Sequence, residues 1–128
     1  MVDNFKYSDI TQKIIGSAII VHNTFRGTNF TENIYHRALL KELTIANLLF
    51  ESEKELPVYY RGDLIGKKRI DILVEHKVLI EIKVVSLIDK ECYNQLINYL
   101  KTFKIEVGLL LNFGSSSLEF KRFVNNTL

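Results

Sequence analysis

The chain has 128 residues, the length of one domain. It is 47% hydrophobic and 25% charged, with one proline, six glycines and one cysteine. These values exclude long-range disorder, collagen-like and low-complexity chains, and a disulfide or zinc-ribbon framework. Seventeen basic residues stand against fifteen acidic ones, and the resulting net charge of +2 is too small to announce nucleic-acid binding by composition.

The beginning of the chain does not read as a secretory signal. Its longest apolar stretch, residues 18–21, follows Asp3, Lys6, Asp9 and Lys13, where a signal needs a longer apolar run behind a basic start. No apolar run reaches the roughly 18 residues that span a membrane. The expectation is a cytoplasmic protein without a membrane partner.

A first helix is predicted over 6–25, from the helical spacing of Ile10, Ile14, Ala18 and Ile19. Residues 26–29 break it, since Gly27 and Asn29 tolerate left-handed turns. A second helix is predicted over 31–49, capped by Thr28 or Thr31, with Glu32 in or near its first turn. Ile34, Ala38, Leu39, Leu43, Ala46 and Leu49 form its apolar stripe. Residues 53–60 read as an edge strand, because Pro57 cannot donate to a ladder on both sides. Residues 61–63 read as a turn and 69–74 as a second strand. A short reversal at 75–77 leads to a third strand over 78–85, a hairpin pattern of two β-branched-rich runs. Residues 87–103 form a third helix with Ile88, Cys92, Leu96, Tyr99, Leu100 and Phe103 inside. The near-continuous apolar run 105–113 reads as a core strand covered on both faces. A short strand or turn over 118–124 follows, carrying Lys121 and Arg122. The order is α-α-β-β-β-α-β in a single domain, 1–128, of the mixed α/β class with an α+β mixed sheet.

Strands two and three are the most apolar part of the chain, yet they contain Asp71, Glu81 and Lys83. Glu81 and Lys83 are two apart and share a face. With a three-residue reversal, Val74 faces Val78 and Asp71 falls opposite Glu81, with Cβ atoms about 4.5–5.5 Å apart. Like charges so placed repel each other unless something positive sits between them. Lys83 supplies one charge; a divalent cation supplies two, and carboxylate oxygens with water suit magnesium. The competing reading is a solvated sheet face with a surface ion pair.

The triplet resembles the Asp…Glu-x-Lys signature of the PD-(D/E)xK nuclease superfamily, and the element order resembles its restriction-endonuclease-like core. Gln95 and Tyr99, with three residues between them, are similar to the Gln-x-x-x-Tyr motif of the RecB-like branch. More narrowly, Glu32-Asn33-Ile34-Tyr35 resembles the Glu-x-x-Tyr half of the GxxExxY family. The segments 56–60, 69–71, 80–83, 95–100 and 108–114 also resemble that family, and the likeness covers about residues 8–124. One departure is Asn29 at the family's first glycine; asparagine is the next-best residue for a left-handed backbone.

The resemblance implies a metal-dependent nuclease. Asp71, Glu81 and the carbonyl of Ile82 would hold Mg2+ (or Mn2+), with Glu32 a further ligand, direct or through water. Lys83 would orient the attacking water or neutralise charge on the phosphate. Gln95 would hold a water or the substrate backbone, and Tyr99 would bond Lys83 or a phosphate. Tyr35 reads as a packing residue. Lys67, Lys68 and Arg69, leading into the Asp71 strand, and Lys121 and Arg122 near the end, would touch phosphates at the rim. The partner is nucleic acid, DNA before RNA, and so short a chain is expected to need a second copy or a partner protein for substrate selection. The alternative is a catalytically silent nuclease-fold module binding nucleic acid or a protein.

His22, His36 and His76 show no metal-ligand spacing and read as surface or capping residues. Cys92 reads as a small buried hydrophobe. Residues 115–117, three serines, read as a polar loop, with no nucleophile-elbow motif and no phosphate-binding Gly-Lys loop in the chain.

Overall fold

The structure, a computed structural model, describes residues 6–127; Asp3 and the extreme ends of the expected 1–128 domain lie outside the described residues. The elements are α1 (Ser8–Thr24), α2 (Glu32–Ile45), β1 (Phe50–Tyr60), β2 (Asp63–Val74), β3 (Val78–Lys83), α3 (Lys90–Phe103), β4 (Val107–Asn112) and β5 (Glu119–Val124). The strands form one sheet in the order β1-β2-β3-β4-β5. Only β3 and β4 run parallel, and α3 lies between them in the chain. β1 is an edge strand, as its proline requires.

Two apolar layers sandwich the sheet. Ile72, Val74, Val78, Ile80, Ile82, Val107, Leu109 and Leu111 face α1 and α2, packing on Ile14, Ala18, Leu39 and Leu43. Leu79 and Leu110 face the other way, against Leu96 and Leu100 of α3. Gly108 lets α3 come close: a Cβ there would meet Leu96 and Leu100 side chains at 3.0–3.1 Å. All six residues of β4 are buried, as expected for a strand covered on both faces.

Several boundaries differ from the expected ones, among them the start of β1, at Phe50 instead of residue 53. α2 ends at Ile45 instead of residue 49 because Asn47 turns left-handed (φ 61°). The Leu48 N–H then donates to Leu43 O and the Asn47 N–H to Thr44 O, both at 3.0 Å, a Schellman closure with asparagine in the glycine position. α3 starts at Lys90 because the Asp89 side chain caps it, accepting from the Cys92 N–H at 3.0 Å. β3 ends at Lys83, two residues early. The largest difference is β2, which starts at Asp63 and not Arg69. Arg61 and Gly62, with φ of 48° and 85°, form the turn alone, the two-residue reversal that suits a twisted hairpin. Residues 63–69 are all exposed, so no apolar alternation marks them as strand.

Candidate active site

The β2–β3 ladder pairs Val74 with Val78 and Ile72 with Ile80, the register expected from the sequence. The next step would pair Asp71 with Glu81, and there side chains replace the ladder. The Asp71 N–H donates to Glu81 Oε2 at 3.1 Å, and the Ile82 N–H donates to Asp71 Oδ2 at 2.7 Å. β2 also changes face at this point. Ile70 and Leu73, three apart, share the α3-side cluster, while Ile72 lies in the other. On the β1 side, Glu53 opposite Asp71 adopts φ 53° and drops out of the ladder. Asp71 therefore marks the end of the core sheet.

Glu81 is 7% exposed, which excludes a solvated sheet face. Burial first, and then the Asp71 charge, push its carboxyl up to about 7; the Asp71 N–H and Lys83 pull the other way. Glu32, in the first turn of α2, is also raised, by burial and then by Asp71, while Lys83 and His36 lower it. Glu32, Asp71, Glu81 and Lys83 are thus one electrostatic cluster, drawn from α2, β2 and β3. Lys83 Nζ donates to Gln95 Oε1 at 3.2 Å, and Gln95 Nε2 donates to Tyr99 Oη at 3.2 Å. Tyr99 reaches Lys83 through Gln95, not directly.

The donor set suits a hard divalent cation. Asp71 Oδ1 and Glu81 Oε1 accept no hydrogen bond among the described residues. The N–H and C=O of a paired strand residue point to the same side, so the Ile82 carbonyl turns with its N–H toward Asp71. Burial and then the Asp71 charge disfavour the ionised Glu81 carboxyl, and a cation between the two carboxylates would offset both. Among the described residues no three His, Cys, Asp or Glu side chains converge closely enough to enclose a metal ion. Glu32 is therefore coupled to the pair but does not complete a three-carboxylate cage.

A residue with no obvious sequence signal holds the loop after Lys83. Asn112 is fully buried. Its Oδ1 accepts from the Val85 and Gly114 N–H groups at 3.0 and 2.9 Å. Its Nδ2 donates to Val85 O at 2.8 Å and Glu119 Oε1 at 3.0 Å. Glu119 Oε1 also accepts from the Ile88 N–H at 3.2 Å. A Cβ on Gly114 would meet Val85 backbone atoms at 2.5 Å, so only glycine admits this approach. Buried amides need partners, and Asn112 finds them on Val85, in the segment that leaves the site, and on Gly114 and Glu119 beyond β4, so it pins that segment to the end of the sheet.

The remaining expected residues divide. Tyr35 is buried and stacked on Phe113, with centroids 5.1 Å apart, the packing role expected of it. Asn29 has φ 55°, the left-handed turn expected of it. Lys67, Lys68 and Arg69 lie exposed on the outer half of β2, so Lys67 and Lys68 belong to the strand and do not precede it. Lys121 shares the α3-side face of β5 with Phe123 and sits in the row of Leu110 and Glu81, two strands from Glu81, about 10 Å away. Arg122 turns to the opposite face, donating to Thr11 Oγ1 at 3.3 Å and to the Lys6 carbonyl, so it does not line the site beside Lys121.

Two histidines correct the surface reading. His22 and His36 are buried, bonding Ser115 O and Ser52 Oγ at 2.8 Å; they tie α1 to the loop after β4 and α2 to β1. His76 is at the surface. Cys92 is half-buried and its thiol is pushed up, chiefly by burial, so it stays protonated and unreactive.

The sequence model of the PD-(D/E)XK nuclease superfamily matches residues 8–123. No curated protein matches the chain closely. The crystal structure of SSO0001 is similar, with 22% identity and a TM-score of 0.54 over 73% of this chain. At that identity the likeness is one of fold, and this chain covers 49% of SSO0001, about half its length. No described helix is long and apolar enough to cross a membrane. With a mixed five-stranded sheet between helices, an Asp-Glu-Lys cluster where the central strands part, and a family match over nearly its whole length, the chain belongs to the PD-(D/E)XK nuclease superfamily.

Proposed function

We propose that this chain hydrolyses phosphodiester bonds of nucleic acid with Mg2+ (or Mn2+), with DNA the preferred substrate. The observation that supports this most is the Asp71–Glu81 pair, a buried carboxylate locked beside a second one by the Asp71 and Ile82 N–H groups where the central strands part. A divalent cation at the pair would supply Lewis acidity, making water a stronger nucleophile and offsetting charge on the attacked phosphate. Asp71, Glu81 and the Ile82 carbonyl would hold it, and Glu32 would add negative charge from α2. Lys83 points its ammonium at the reacting phosphate or the attacking water, steadied by Gln95, which Tyr99 steadies in turn. Gln95 and Tyr99 are positioning residues in this scheme.

The left-handed Asn29, Glu32 in the acidic cluster and the packed Tyr35 support placing the chain in the GxxExxY branch, and the Lys83–Gln95–Tyr99 chain supports a RecB-like arrangement. Lys67, Lys68, Arg69 and Lys121 are the phosphate contacts of this reading, and substrate choice rests on a second copy or a cytoplasmic partner protein.

The test is cleavage of end-labelled DNA and RNA with Mg2+ or EDTA. Asp71→Ala, Glu81→Ala and Lys83→Ala should each lose at least about 10²–10³-fold in rate. Equal activity in all four proteins overturns the assignment. Thermal stabilisation of the wild type by Mg2+ without cleavage of either substrate leaves the silent-module alternative standing.

A further inference from the structure

We infer that the cleft on the α1/α2 side of the site binds one nucleotide of the substrate strand, next to the phosphate that is attacked; this rests on the nuclease reading above. The cleft is about 330 Å³, lined by Arg26, Asn29, Ser115 and Ser116 beside Phe25 and Phe113. That is the low end of small-ligand pockets, about 300–1,000 Å³, which fits one nucleotide and not a duplex.

Its position ties it to the catalytic cluster. Val84, in its wall, follows Lys83, and the Phe113 N–H donates to the Lys83 carbonyl at 2.9 Å. Asn29 and Tyr35, both in the wall, stand three residues before and after Glu32. One short segment therefore shapes the cleft and delivers a carboxylate to Asp71. A strand crossing the end of β3 passes from one to the other.

Its chemistry suits an anion carrying an aromatic base. No acidic side chain lines it. The two clefts on the α3 side do carry acids: Asp89 and Glu91 beside Lys83, and Glu91 between Lys68 and Tyr99. Those carboxylates offset the lysines beside them, so a free nucleotide is favoured in the acid-free cleft. Arg26 is exposed and spends one guanidinium N–H on Asn23, so a planar fork remains for a phosphate. Ser116 is exposed beside it. Phe25 packs edge-on against Phe30 and Tyr35, with centroids at 5.3 and 6.2 Å, and offers a held ring for a base.

The probe is thymidine 5′-monophosphate, titrated into the 15N-labelled protein without metal. Amide shifts should concentrate at Arg26, Asn29, Ser115 and Ser116. Arg26→Ala, which trims an exposed side chain, and Ser116→Asp, which adds a like charge, should each weaken binding about tenfold, while Glu81→Ala should still bind. Shifts centred on Lys68 or Lys83, no shifts, or equal affinity in both cleft variants overturn the inference. Binding in the cleft with no cleavage of DNA or RNA sinks the nuclease reading alone. Cleavage with KM unchanged in Arg26→Ala and Ser116→Asp sinks the cleft alone.

Discussion

The two halves of β2 share one backbone conformation and little else. Its inner half, residues 70–74, lies between β1 and β3 under both helical layers, and every residue but Asp71 is buried. Its outer half, residues 63–69, pairs only with β1 and is exposed throughout. Its tip lies about 30 Å past the last β2–β3 pair, at strand rise. The contrast shows what a sheet needs for stability and what it needs for a site. The apolar half supplies rigidity, the exposed half supplies reach, and Asp71 sits where one becomes the other. There a carboxylate can stay open to a substrate while its neighbour Glu81 is desolvated.

The largest break in this contrast is expected in the core. Ile72→Ala or Ile80→Ala should cost about 2–5 kcal/mol in urea unfolding, because both side chains are fully buried. Leu64→Ala or Ile65→Ala on the exposed half should stay within about 0.5 kcal/mol. Similar losses in the two halves would mean that the projecting hairpin is covered in solution.

A comparable effect should follow pH. The Glu81 carboxyl is raised from 4.5 to about 7 in the fold, so folding disfavours its ionised form. Its contribution is fully present below about pH 4.5, shrinks as pH rises and is lost above about 7. Magnesium-free protein should be less stable at pH 8 than at pH 5 by up to about 3 kcal/mol from this group. Glu81→Gln should flatten that slope, and Mg2+ should stabilise more at pH 8 than at pH 5. A magnesium-free wild type as stable at pH 8 as its Gln variant would break the account of Glu81.

The smallest effect belongs to the exposed cations. Replacing Lys67, Lys68 and Arg69 with alanine should lower nucleic-acid affinity and make its salt slope shallower by up to about one per lost phosphate contact, with unfolding barely moved. Arg122→Ala should behave in the opposite way, destabilising the α1 contact and leaving the salt slope alone. Anisotropy titrations at two salt concentrations separate the two outcomes.

Much of the site was legible because its signal is local. Three charges in apolar strands stand out from their neighbours, and a three-residue reversal sets Asp71 beside Glu81 by counting. Asn29 could be read as a left-handed residue from its type alone. Leu64 to Arg69 could not be read as strand, because nothing covers them and so no burial pattern marks them. Asn112 reads as one polar residue at the end of an apolar run. Its importance comes from Val85, Gly114 and Glu119, brought together only when β4 pairs and the loop folds over it. The burial of His22 and His36 has no local signal for the same reason, since their partners Ser115 and Ser52 lie far along the chain or across an element boundary.

By itself the sequence determined the order of elements, the register of the central hairpin and the acid-acid-lysine cluster, since these follow from residue type and periodicity. Only the tertiary structure decided that Glu81 is desolvated, that Lys83 meets Gln95, that Arg122 faces away while Lys121 does not, and that an acid-free cleft adjoins the site. Periodicity is a property of neighbours in the chain. Burial, and the partner a side chain finds, depend on which distant segments pack against it.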